Sequence, residues 1–220
     1  MKYTTPLLLI AVLTGLAGCD LGPKDATNTP TAPAIEQPAP QPAPAADPDQ
    51  ITVLIETSKG NITAVLWPKL APDTVANFLT YADDGFFDGT IFHRITTASS
   101  GISVVQGGGF SPRLARKTPG HPQIRNEARS DVKNLRGTLA MARTGDPHSA
   151  TAQFYINYKD NFALDHRSPT QRDYGYCVFG KVIEGMGVVD AIGRVQTATI
   201  NGMDGVPIDP VLITSIRRVE

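Results

Sequence analysis

The sequence predicts a mainly β domain, a closed antiparallel barrel capped by two α-helices, standing behind a leader and a proline-rich stretch. Three observations predict it. From residue 51 onward, short alternating or apolar runs are separated by Gly- and Pro-rich turns. Only two stretches carry apolar residues at helical spacing. Seven or eight strands then share about 170 residues with two helices, and a closed barrel accommodates them without leaving open edges. Periodicity by itself leaves a two-sheet sandwich open as the alternative.

The elements follow in order along the 220 residues. Lys2 precedes a charge-free, Leu-rich run from Pro6 to Gly18. These 13 residues fall short of the roughly 20 that cross a bilayer core, so the run fits the apolar region of a secretory signal. It ends in Leu16-Ala17-Gly18-Cys19, which resembles the lipobox of bacterial lipoproteins. That resemblance implies removal of residues 1–18 as a signal peptide and lipidation of Cys19. Asp20 then implies retention at the inner membrane of a Gram-negative envelope, facing the periplasm. An ordinary signal peptide with an incidental Cys is the alternative. From Gly22 to Gln50, Pro and Ala fill 15 of 29 positions, so residues 19–50 read as a lipidated Cys followed by an extended, disordered tether.

The folded domain is expected over residues 51–220. Ile51–Thr57 and Ile62–Trp67 read as strands joined by a tight turn at Ser58-Lys59-Gly60-Asn61. A helix follows: Pro72 suits its first turn, Asp73 complements its dipole, and Gly85 can end it. Val75, Phe78, Leu79 and Ala82 form its buried stripe. Strand-like runs come next near 90–96, 102–107, 137–143, 152–157 and 176–183. Met186, Val189 and Ile192 recur every third residue and predict a short helix over 184–193, and 211–219 closes the chain as a strand.

Composition excludes several classes of function. With 41% hydrophobic and 19% charged residues, the chain is globular in character. A net charge of −1, near +2 for residues 51–220, gives no reason to expect nucleic acid. Cys19 and Cys177 lie in unrelated contexts, so neither a disulfide nor a Cys-based metal site is expected, and Cys177 reads as a small buried residue. His93, His121, His148 and His166 are scattered without ligand spacing, so no metal or cofactor is expected. Gly107-Gly108-Gly109 is followed by no Lys-Ser/Thr and reads as tight backbone geometry, not a phosphate loop. Nothing resembles a dimer seam, so a monomer is expected.

Several motifs carry the chemistry. They are Ala71-Pro72-Asp73-Thr74-Val75-Ala76-Asn77-Phe78, Phe92-His93-Arg94, Gln106-Gly107-Gly108-Gly109-Phe110 and Gly137-Thr138-Leu139-Ala140-Met141-Ala142. Ser149–Asn157, Val178-Phe179-Gly180-Lys181-Val182 and Gly185-Met186 extend the set. In this order and spacing the sequence resembles the cyclophilins over essentially all of residues 51–220. The resemblance implies an eight-stranded antiparallel barrel with a helix at each end, a peptide groove on its outer surface, and cis-trans isomerisation of X-Pro bonds. Its partners would be unfolded or proline-containing polypeptides, and the membrane through Cys19.

The resemblance also implies roles. Arg94 is the catalytic Arg, donating to the proline nitrogen as the amide twists. Gln106 and the backbone of Ala142 and Arg143 hold the peptide main chain, and Gln153 orients its neighbours. Val104, Met141, Tyr155 and Leu164 line the proline pocket, Phe154 supports it from beneath, and Tyr176 falls where many relatives carry a His. Alternation agrees: Val104 shares a face with Gln106, Met141 with Arg143, and Gln153 with Tyr155, while Phe154 and Ile156 point the other way into the core.

Two departures from the family pattern matter. The run from Ile95 to Val105 is about four residues longer than usual, with Ser103 and Val104 standing where the family has Phe-Met. The pocket is therefore expected to lose an aromatic wall unless Ile102 or the longer loop refills it. In Asn161-Phe162-Ala163-Leu164-Asp165, Ala163 takes the usual aromatic place beside the Leu, which implies poor cyclosporin binding. Two alternatives remain: the same fold kept as a peptide-binding or chaperone module with little turnover, and a small-ligand barrel with an open interior.

Overall fold

A computed structural model describes residues 50–219. The predicted signal peptide, Cys19, Asp20 and the tether lie outside the described residues.

The first hairpin forms where expected, β1 (Ile51–Thr57) against β2 (Gly60–Leu66) in strict antiparallel register, Ile55 opposite Ile62 and Val53 opposite Ala64. Helix α1 spans Pro72–Asp83 and buries Val75, Phe78, Leu79 and Ala82, together with Thr74 and Tyr81. Its N-cap, Ala71, has no polar side chain, and the cap comes from elsewhere. The Glu127 carboxylate accepts from the Thr74 amide at 2.8 Å, the Thr74 hydroxyl at 2.7 Å and the Asp73 amide at 3.3 Å. At the other end Gly85 adopts φ 65°, and the Gly85 and Phe86 amides return to the carbonyls of Ala82 and Tyr81. That is a Schellman stop, and a residue with a Cβ would strain it.

The strands β3 (Thr90–Ile95), β4 (Val104–Gly107), β5 (Thr138–Met141), β6 (Phe154–Asn157), β7 (Val178–Glu184) and β10 (Val211–Val219) complete a closed barrel in the order β1-β10-β3-β4-β6-β5-β7-β2. Eight strands and two helices match the predicted class, and the barrel, not the sandwich, is what forms. Helix α2 is shorter than the expected 184–193, running Met186–Ile192, with Val189 and Ile192 buried. One element was not read from the sequence: a separate hairpin of β8 (Thr197–Ile200) and β9 (Met203–Pro207). Its turn is Asn201-Gly202, both at positive φ (52° and 76°), the chemistry of a tight two-residue hairpin turn.

Alternation sorts the barrel's side chains into two apolar clusters. Leu139, Phe154, Ile156, Val105 and Phe179 point inward and join Phe78, Val189 and Ile192 of the helices in one core. Phe78 packs on Phe87, Phe154 and Phe179 at centroid distances of 5.2, 5.3 and 5.1 Å. Among the described residues the barrel interior is filled by these side chains, Leu139, Phe154, Ile156 and Phe179 each 0% exposed. The residues between them, Val104, Ala140, Tyr155 and Val178, face outward and make a second cluster with Leu164. A barrel that buries part of its outer surface in this way has something built upon it there.

Candidate active site

The second cluster floors a groove of about 360 Å³ on the barrel's outer face. Val104, Tyr155 and Leu164 form its apolar base, with Ala142 and Tyr176 beside them. Tyr155 is 3% exposed; its hydroxyl donates to the Asn134 side-chain oxygen Oδ1 at 2.8 Å, and its ring meets Tyr176 edge-on at 5.8 Å. Burial pushes the Tyr155 hydroxyl well above the usual tyrosine range, so it stays a neutral wall at any working pH.

Polar groups enter from the adjoining strands. Arg94 on β3 stands opposite Gln106 on β4 in the sheet register, and both line the groove. The Gln106 amide donates to the Gln153 side-chain oxygen at 3.1 Å. Gln153 lies flat over Gly109, where a Cβ would collide with it at 2.5 Å, so the third glycine of the Gly run makes room for this amide. Arg143 lies over the Tyr176 ring at 4.5 Å and donates to the carbonyls of Gly175 (3.1 Å) and Thr144 (2.9 Å). The groove thus combines arginine cations, a pair of side-chain amides and an apolar pocket.

Nine of the twelve barrel residues expected at the groove line it: Arg94, Val104, Gln106, Ala142, Arg143, Gln153, Tyr155, Leu164 and Tyr176. The other three do not. Met141 was expected to line the proline pocket, but it is 2% exposed and belongs to the interior core. The reason is parity: Ala140, paired with Tyr155, takes the outward position, and β5 ends at Met141, so Ala142 and Arg143 both turn to the groove without keeping alternation. Phe154 is fully buried in the interior, behind the groove strands. Ser103 is 3% exposed and tied away from the groove, its amide donating to Asn161 at 2.7 Å and its carbonyl accepting from Asn161 at 3.1 Å.

Sequence reasoning missed four lining residues: His93, Phe110, Arg116 and Met203. Ile102, the alternative filler for the missing aromatic wall, lines the groove packed against the outer cluster. Met203 comes from the unread hairpin. His93 is 2% exposed, and its ring stacks on Phe110 at 4.5 Å. Burial, with the Arg94 charge adding to it, pushes the imidazole down to about 4, so it is neutral at physiological pH. Among the described residues no group of three or more His, Cys, Asp or Glu could hold a metal ion.

Comparison with known proteins agrees with this geometry. Residues 52–218 match the family model described as cyclophilin type peptidyl-prolyl cis-trans isomerase/CLD. The chain is 49% identical over 166 residues to the peptidyl-prolyl cis-trans isomerase cyp18 of Streptomyces antibioticus, covering 76% of this chain and 97% of that relative. It is 45% identical over 164 residues to peptidyl-prolyl cis-trans isomerase B of Escherichia coli (strain K12), covering 74% and 97%. A similar solved structure is a Cryptosporidium parvum cyclophilin-type isomerase in the presence of the dipeptide Ala-Pro, with a TM-score of 0.64 and 25% identity, covering 77% of this chain and 99% of that one.

Proposed function

The chain belongs to the cyclophilin-type peptidyl-prolyl cis-trans isomerases, and from that premise we propose that Arg94 is its catalytic residue and that the enzyme works on exported polypeptides at the bacterial cell envelope. The reaction is rotation about an X-Pro bond. Amide resonance opposes it with a barrier of about 18–20 kcal/mol, and the spontaneous exchange takes tens to hundreds of seconds. No bond is made or broken, so the catalyst has only to favour the twisted amide over both planar forms.

The observation that carries the assignment is Arg94 standing across the β3–β4 ladder from Gln106, beside the apolar pocket of Val104, Tyr155 and Leu164. The pocket holds the proline ring, and the Gln106–Gln153 amides hold the peptide main chain. As the amide twists, its nitrogen loses conjugation and becomes an acceptor, and the Arg94 guanidinium donates to it. A fixed donor that meets its acceptor only in the twisted state lowers the barrier without deepening the ground states.

The cell-envelope part rests on Leu16-Ala17-Gly18-Cys19 and the proline-rich stretch behind it. Lipid on Cys19 anchors the domain to the membrane, Asp20 favours the inner membrane, and the clients are chains emerging into the periplasm. The test of the site is cis-trans exchange of an Ala-Pro peptide measured beside the Arg94→Ala variant. Fast exchange that falls about 100-fold or more in a folded variant is expected, a loss of the size seen when a preorganised donor is removed. An Arg94→Ala enzyme with undiminished turnover would remove Arg94 from the mechanism.

A further inference from the structure

The groove holds three arginines and no carboxylate: Arg94, Arg116 and Arg143 line it, with no Asp or Glu among the lining residues. Elsewhere on the domain several arginines are paired with carboxylates. Arg129 meets Asp131, Arg136 meets Asp190, and Arg218 meets Asp83, each within 2.8 Å. Among the described residues no such pair forms at the three groove arginines.

Arg94 needs this freedom for catalysis, since a neighbouring carboxylate would capture its donors. Arg116 and Arg143 do not. Arg116 is held in place by the backbone. It bridges to Phe110, and the Ser111 and Lys117 amides donate to the carbonyls of Ala115 (2.9 Å) and Gly109 (3.0 Å). The next residue, Lys117, turns away and spends its ammonium on the Phe86 carbonyl and ring, so Arg116 alone of the two faces the groove. Arg143 gives two backbone carbonyls part of its donor fork and stacks the rest on Tyr176, which leaves its charge uncompensated. A neighbouring cavity shares Arg143 and adds Arg167 and Arg172. Two carboxylates also line it: Asp165, directed to the Asn134 amide and Lys133, and Asp173, which accepts from the Thr170 hydroxyl at 3.5 Å.

We propose that the groove selects X-Pro segments whose flanking residues carry carboxylates, read by Arg116 and Arg143. The Arg143 guanidinium is held by two carbonyls and a ring, and Arg116 is presented at the groove by a fixed main chain, so each offers a planar fork that matches carboxylate oxygens. The same charges repel Lys and Arg beside the proline, so discrimination comes from both directions. The contact is with flanking residues and not with the rotating bond. It therefore lowers KM and leaves kcat alone, as uniform binding does.

This inference rests on the groove being the isomerase site, and the experiment separates the two. Three peptides of one length, with Glu, Gln or Lys on both sides of the same Ala-Pro, are turned over by the full-length protein at low salt. The expected kcat/KM order is Glu above Gln above Lys, with Glu over Gln by about threefold to tenfold, the sum of two partly exposed charge contacts. The Glu advantage disappears near 1 M salt, where screening acts within about 3 Å. It falls toward unity in Arg116→Gln and is kept in part by Arg116→Lys. Equal turnover of all three peptides, or a Glu advantage indifferent to salt and to Arg116→Gln, overturns the selectivity and leaves the isomerase standing. Turnover of none of them overturns the reading of the site, and the selectivity falls with it.

Discussion

His93 lies on β3 next to Arg94 and lines the groove with Gln106 and Gln153, and its chemistry is set by burial. A group neutral down to about 4 when folded, against 6.5 ordinarily, binds its proton more weakly in the native state than in the unfolded chain. Its contribution to stability is therefore complete above pH 6.5 and is lost as pH falls through 4. The gap corresponds to about 3 kcal/mol. Urea unfolding at pH 7 and pH 4 is expected to show the loss, and a His93→Gln variant is expected to lose less over the same interval by about that amount. Equal pH dependence in the two proteins would mean that the imidazole protonates in the folded state. The same neutrality keeps a second positive charge away from Arg94, so the isomerase rate is not expected to fall between pH 8 and pH 5 on account of His93.

At the scale of elements, the groove is a β surface finished by two irregular pieces. The lengthened segment after β3 makes its own 3-10 turn at Ala98–Ser100. Its Thr96 amide and carbonyl are bound by the Val104 carbonyl and the Tyr158 hydroxyl, at 3.0 and 2.6 Å. That anchoring presents Ile102 to the pocket while Ser103 is drawn inward by Asn161. Ile102 thus stands in for the absent aromatic wall. Ile102→Ala is expected to raise KM for an Ala-Pro peptide about threefold to tenfold, the loss of a partly buried side chain, with kcat within about twofold. Steady-state kinetics decide it, and an unchanged KM would exclude Ile102 as a wall. The sequence made the barrel legible because burial on one face imposes period 2 on β1 and β2 and helical spacing on α1. The hairpin of β8 and β9 escaped because no strand of the barrel pairs with it and most of its residues stay partly exposed or exposed, so no apolar period marks it. Asn201-Gly202 was the available signal. Arg116 and Phe110 escaped for another reason: the stretch between β4 and β5 carries no strand or helix, and its form is set by distant contacts such as Asn126 to Gly175 and Asn134 to Asp165. Met141 turns inward because alternation holds through the last residue of β5, and it is Ala142 and Arg143 beyond the strand that depart from it.

For the whole molecule, the first and last strands close the barrel on each other, with Ile55 opposite Ile216, and Arg218 joins β10 to α1 through Asp83. Closure between chain ends makes folding depend on distant contacts, so the groove exists only when the entire domain has formed. Catalysis then belongs to residues 51–219 as a unit, and the proposed location belongs to Cys19. The two are separable by one substitution. A single acyl chain binds a membrane only marginally, whereas the several expected on a lipoprotein Cys hold firmly. Cys19→Ala is therefore expected to move the protein almost wholly from the membrane pellet to the soluble fraction of bacterial cells while leaving kcat/KM per molecule unchanged. A Cys19→Ala protein that still pellets after a high-salt wash would place the attachment elsewhere in the chain. A soluble variant with altered turnover would mean that membrane attachment acts on the enzyme and does more than locate it.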